Sequence, residues 1–267
     1  MKPTTATRLF ALVTALLLTG SSPAAAQEFQ WPDEPENLEV LPDTLGPDGL
    51  RRTMSHFTEA LGVRCSYCHV GEEGAPLSEY DFASDDNDHK QAARVMLRMV
   101  EAINSEHLEQ LEHEHQGEGP AHAGYALPGD REVNCITCHR GTDRPAMIED
   151  VLAGVIERDG VGAAVKRYEG LREEYYGGFA YDFTVGPLSE LARNLATRGQ
   201  TDAAVRVAEL EVKHHQESYR AHFVLAQMLD QAGDRESAVE SMQRALDLAP
   251  DEARSFLQRQ LERIRGG

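Results

Sequence analysis

Cys65-Ser66-Tyr67-Cys68-His69 and Cys135-Ile136-Thr137-Cys138-His139 repeat one pattern, C-x-x-C-H, and together use all four cysteines of the chain. The pattern marks covalent haem attachment: two thiols add to the vinyl groups of a porphyrin, and the next histidine offers an axial nitrogen to its iron. Two intervening residues let both sulfurs reach one edge of the ring, and the following residue turns beneath the metal. A chain that must do this twice needs two tight turns, each beside a surface wide enough for a flat ring. Cys65, Cys68, Cys135 and Cys138 are therefore the expected attachment residues of two haem c groups, with His69 and His139 as proximal iron ligands.

Two other uses of C-x-x-C pairs compete with this one. An exported chain can close such pairs as disulfides, and two pairs can build a zinc site. Neither needs the histidine that follows each second cysteine. Export is itself expected. Lys2 and Arg8 precede an apolar run from Leu9 to Leu18, and Ala24-Ala25-Ala26 supplies small residues for cleavage. Residues 1–26 read as a signal peptide, the run being short for a membrane span, which points to the periplasm. No later segment is apolar enough to cross a bilayer. Two of the 26 bases and none of the 45 acids fall in that peptide, so a formal charge of −19 becomes −21 for the remainder. Such a surface excludes nucleic acid and anionic lipid as partners and steers a basic redox protein toward it, besides keeping the chain soluble.

The expected fold is all-α: short haem-wrapping helices and loops over residues 27–146, then a tetratricopeptide-like helical solenoid over 147–267. Residues 27 to about 45 are acidic and rich in proline and read as an extended arm. Gly46-Pro47-Asp48 opens a helix in which Leu50, Met54, Phe57 and Leu61 form one apolar stripe, and Gly62 suits its left-handed cap. A second helix starts near Asp88, carries Ala92, Val95, Met96, Met99 and Ile103 on one face, and is expected to reach about Leu111. From Met147 the texture becomes amphipathic helix. Ala226, Leu229, Gly233, Ala238, Met242, Ala245 and Pro250 fit the small, large and terminating positions of a tetratricopeptide repeat. A shift of 34 residues, the period of that repeat, gives a looser copy at Ala192, Leu195, Gly199, Ala204, Ala208, Glu211 and Gln216. Two copies need helical neighbours to bury their faces, which Ile148–Arg158, Gly162–Tyr175 and Leu257–Ile264 supply.

What fills the sixth position of each iron separates electron transfer from catalysis. A thioether there raises the reduction potential and closes the metal to substrates. Met54, Met96 and Met99 are candidates by position, and plain core packing is the competing use of a methionine on an apolar stripe. Arg52-Thr53-Met54, the helix ending in Gly62 and the first C-x-x-C-H resemble the cytochrome c subunit of photosynthetic reaction centres. So do Ala93-Arg94-Val95-Met96-Leu97-Arg98-Met99, Ala102-Ile103-Asn104 and the run from Val133 to Thr142. The resemblance covers roughly residues 38 to 146. In that family each haem segment is a helix, a turn and a C-x-x-C-H motif, and the methionine of the helix ligates the iron. The resemblance implies Met54 for the first haem and Met96, rather than Met99, for the second.

The departures are specific. The reaction-centre subunit carries four haems, and this chain has motifs for two. The usual lipid-bearing cysteine is lacking, and the repeats have no counterpart there. The stretch from Asn104 to Cys135 is longer than the family pattern and holds His107, His113, His115 and His122, which read as a solvated loop with displacement of Met96 as the competing role. The expected function is a stand-alone dihaem carrier of single electrons between redox partner proteins, its repeats docking a partner or a second copy. The alternatives are a dihaem peroxidase-like enzyme with one open iron, and a scaffold or assembly protein acting through its repeats. The remaining polar clusters read plainly. Glu79, Asp81, Asp85, Asp86 and Asp88 form a solvated loop without the spacing of a calcium hand. His56 is expected to be exposed, and His214, His215 and His222 belong to the surface or to helix packing.

Overall fold

The computed structural model describes residues 29–108 and 132–266; the expected signal peptide and His113, His115 and His122 lie outside the described residues. The architecture is all-α. Among the described residues there is no strand, only an isolated antiparallel bridge between Val70 and Asp81. None of the described helices is long and apolar enough to cross a membrane.

Helix α1 spans Pro47–Leu61, with Gly46 extended at the N-cap and Pro47 in the first turn, where its missing N–H costs nothing. It stops at Gly62, whose φ of 66° is left-handed. The Val63 N–H then reaches back to the Thr58 carbonyl at 3.1 Å, satisfying an end carbonyl. Helix α2 spans Asp88–Ala102, capped by Asn87, which accepts the His89 N–H at 3.0 Å. It continues as a wider π-type turn over Ile103–Leu108, so regular α-helix ends well short of the expected Leu111. The second cysteine motif is itself a short helix, α3 (Cys135–His139), closed by a capping box between Asn134 and Thr137.

Seven longer helices follow: α4 (Ile148–Asp159), α5 (Val161–Tyr175), α6 (Pro187–Thr197), α7 (Thr201–His214), α8 (Tyr219–Ala232), α9 (Arg235–Leu248) and α10 (Asp251–Gly266). Neighbours in sequence pack as neighbours in space, α4 on α5, α6 on α7, then α7, α8, α9 and α10 in succession. Ala192 and Ala226, like Ala204 and Ala238, lie 34 residues apart and are fully buried, and Gly199 and Gly233 both take positive φ. Small side chains at those positions let paired helices approach closely, and glycine ends the first helix of each pair where β-carbon-bearing residues would be strained.

Glu211 occupies the position that holds Ala245 one period later, and it is wholly buried. Its carboxylate accepts the N–H of Gly186 at 3.1 Å and of Ser189 at 3.3 Å, together with the Ser189 hydroxyl. The charge therefore sits on the N-terminus of α6, where a helix favours an anion. Glu211 is thus a capping residue supplied by the neighbouring helix rather than a weak repeat position.

The apolar interior lies almost entirely in α4–α10. Its two clusters run from Ile148 to Ile264, and Val205, Phe223 and Leu225 touch both. Before Met147, the buried hydrophobic residues among those described are Leu50 and Ala60. The segment that carries both cysteine motifs is held by polar ties and close backbone contacts instead.

Candidate functional site

In the first motif, Cys65–Tyr67 is a 3-10 turn, and the His69 N–H returns to the Cys65 carbonyl at 2.9 Å. In the second, Cys135–His139 is α-helical. Both turns put the two cysteines three residues apart and the histidine four from the first; the α-helical second motif thereby groups all three on one face, and the 3-10 first motif eclipses its two cysteines. No disulfide joins the four thiols. Burial pushes the Cys68 and Cys135 thiols up from their ordinary value, the first helped by Cys65. Among the described residues no three His, Cys, Asp or Glu side chains gather into a metal cluster, so the two pairs do not converge as a zinc site requires.

The two histidines sit in different polar surroundings. His139 Nδ1 lies 2.9 Å from the Thr142 carbonyl, which only accepts, so that nitrogen donates and, in a neutral ring, the lone pair would fall on Nε2. Burial pushes the His69 imidazole down, the Lys90 ammonium adds to this, and the Phe82 backbone opposes both more weakly. Its Nδ1 is enclosed yet makes no well-formed hydrogen bond. The Phe82 ring meets the imidazole edge-on at 5.0 Å.

Helix α2 ties both motifs together. At its start the Asn87 amide donates to the Tyr67 carbonyl at 3.1 Å, and Tyr67 stacks on His89 with ring centres 4.0 Å apart. Beyond its end, Asn104 exchanges two 2.8 Å hydrogen bonds with the backbone of Val133, two residues before Cys135. The motifs also touch directly. The Tyr67 phenol donates to Asp143 at 3.0 Å, and the Gly141 N–H donates to the Ala60 carbonyl at 2.8 Å. Burial and the Asp143 bond both push the Tyr67 phenol up.

The five acids of the loop are exposed, as a solvated run would be, and Asp85 among them also ties into this frame. Buried Arg94 pairs with Asp85 at 3.0 Å and Glu39 at 3.2 Å. Lys90 Nζ donates to the carbonyls of Phe82, Ala83 and Ser84 at 3.0, 3.0 and 2.7 Å. The Arg94 guanidinium, with Lys90 and Asn37 behind it, holds the Asp85 carboxyl well below the usual carboxylate range. Folding lowers this value, so the stabilisation is complete above the ordinary carboxylate pKa and is lost as pH falls beneath it. The urea midpoint of Asp85→Asn should trail the parent at pH 7, with the gap narrowing below about pH 4. A gap that stays constant across that range would contradict the pairing.

The axial candidates sit as follows. Met54 is half-buried on α1. Val95, Met96 and Met99 expose 57, 43 and 45 % of their surface along one face of α2, leaving a broad apolar strip uncovered. A flat macrocycle fits such a strip, and paired thiols with an adjoining imidazole fit its edge and metal, so the residues present suit haem c. His56 is half-buried rather than exposed, and His107 is exposed on the π-type turn. Asn87, Lys90, Arg94 and Asn104 are the frame residues that sequence patterns alone did not single out; an N-cap Asn before Asp88 was the available sign for the first of them.

The family model of the photosynthetic reaction centre cytochrome C subunit matches residues 22–159 of this chain. The chain belongs to the photosynthetic reaction centre cytochrome c subunit family. It is a c-type cytochrome, and haem c attached through thioethers is the cofactor of that family. The photosynthetic reaction center cytochrome c subunit of Rubrivivax gelatinosus is 34% identical over 94 residues, which cover 34% of this chain and 22% of that relative. The chain thus matches only about a fifth of the relative's length, and α5–α10 lie beyond the residues that the family model matches.

Proposed function

We propose that this member of the family is a dihaem carrier of single electrons between redox partner proteins, exported to the periplasm. The observation that supports it most is the pair of like constellations, each two thiols and an adjoining imidazole carried on a turn, joined by one helix. When bound, each iron supplies a one-electron couple between ferric and ferrous states. Cys65 and Cys68 hold one group, and Cys135 and Cys138 the other. His69 and His139 take the proximal positions; Met54 and Met96 take the distal ones. The phenol of Tyr67 and the amides of Asn87 and Asn104 fix the two sites relative to one another, so electrons pass over a set distance. Excess acid on the chain draws basic partners into encounter.

The helices from α4 onward act as a tetratricopeptide-like docking array. Visible and near-infrared spectra of the oxidised protein test the carrier reading: two low-spin histidine–methionine irons are expected. A high-spin iron that reacts with peroxide would replace the carrier by a peroxidase-like enzyme. Ending the chain near residue 150 should leave both haem spectra intact, because the apolar clusters draw their buried residues from Ile148 onward. Loss of both haems on truncation would mean that the two parts fold as one unit.

A further inference from the structure

We infer that the groove lined by α6, α8 and α10 docks an extended acidic segment of a partner protein that also presents an aromatic side chain. The inference rests on reading these helices as a docking array and adds the chemistry of what they take. The groove encloses a cavity of about 370 Å³. That lies near the small end of ligand pockets, room for a short extended segment rather than a packed helix.

Its lining departs from the rest of the chain. Arg193 of α6 and Arg220 of α8 enter it, and no Asp or Glu does, although acids outnumber bases 45 to 26 overall. Neither guanidinium has a carboxylate partner within 4.0 Å among the described residues, whereas Arg198, Arg244 and Arg263 nearby in sequence do. Tyr219, Phe223 and Phe256 supply apolar walls; the two phenylalanine rings meet edge to face at 5.5 Å, and Phe256 is 44 % exposed. Ser189 contributes to the floor, and its hydroxyl points to Glu211, whose charge is engaged by the N-terminus of α6. Arginine and aromatic residues without Lys, Asp or Glu are the composition of an interface centre, not of ordinary surface. Arg220 donates to the Tyr219 hydroxyl at 3.2 Å, yet with no carboxylate on either guanidinium the centre is complementary to carboxylates, and an aromatic side chain completes the edge-to-face set. A second copy of this chain is the other occupant that the test distinguishes.

The test uses the full haem-loaded protein and three fluorescein-labelled eight-residue peptides. The first is built of glutamate and aspartate with two phenylalanines, the second replaces its acids by amides, and the third replaces phenylalanine by alanine. Anisotropy should show the first binding best and the other two at least about tenfold weaker. Arg193→Glu with Arg220→Glu should weaken the first peptide by at least about tenfold, while Arg235→Glu, an exposed charge outside the groove, should not. Circular dichroism of each variant confirms that the helices persist. Equal binding of the acidic and amide peptides, or an equal loss with Arg235→Glu, would overturn the inference. So would a doubling of mass in sedimentation that competes with the peptide, which would make the occupant a second copy. The carrier reading is judged by spectra and potentials, which these variants leave untouched, so either can fail without the other.

Discussion

Met54→Ala is expected to lower the reduction potential of one haem by about 60–180 mV, a tenfold to thousandfold loss of preference for the ferrous state. A thioether is a soft, neutral donor that favours ferrous iron, and its removal leaves a position with no protein ligand. The same variant should bind carbon monoxide when reduced and cyanide when oxidised, at one haem only. Redox titration followed in the visible region, with carbon monoxide difference spectra, reads both effects. Unchanged spectra and potential would remove Met54 as a ligand. The parallel comparison concerns Met96 and Met99, which lie on one face of α2 with nearly equal exposure, 43 and 45 %. Met96→Ala should open the second haem, and Met99→Ala should leave its spectrum alone.

Gly62→Ala is expected to destabilise the haem-bearing segment by about 2–5 kcal/mol, from two separate causes. A left-handed residue with a β-carbon costs about 1–2 kcal/mol, and Gly62 has a φ of 66°. The added carbon would also lie 2.2 Å from the Gly141 carbonyl oxygen, so α1 and the second motif must separate. That movement breaks the Gly141 to Ala60 hydrogen bond. Gly141→Ala is the control: its φ is 92°, but a β-carbon there meets nothing within 4 Å, so only the conformational cost of about 1–2 kcal/mol applies. Urea midpoints followed by far-ultraviolet circular dichroism, with the haem content of each purified variant, separate the two. Equal losses for both variants would mean that the close approach contributes nothing.

Local chemistry was legible in the residues, and distant chemistry was not. Gly46-Pro47 and Gly62 bound α1 because a cap and a stop act within one turn. The 34-residue shift located α6–α9 because buried alanines and left-handed glycines recur wherever paired helices must meet. By contrast, Arg94 stands among apolar residues of α2 and is buried because Glu39 and Asp85 come to it from afar. No periodicity encodes that. Asn87 reads as a helix cap, yet its second bond, to Tyr67 twenty residues earlier, exists only in the fold. The strip of Val95, Met96 and Met99 was readable as one face but not as an uncovered one. Stripe patterns say which side chains stand together, not what they stand against.

The two-bond clasp between Asn104 and Val133 has a consequence for what the chain tolerates. It fixes the approach to Cys135 from the α2 side, so the register of the second motif does not depend on the residues strung between them. An epitope or a fluorescent reporter grafted between residues 109 and 131 should therefore ride on the molecule without shifting the thiols of Cys135 and Cys138. The clasp thereby gives the cytochrome a place at which a label can be carried.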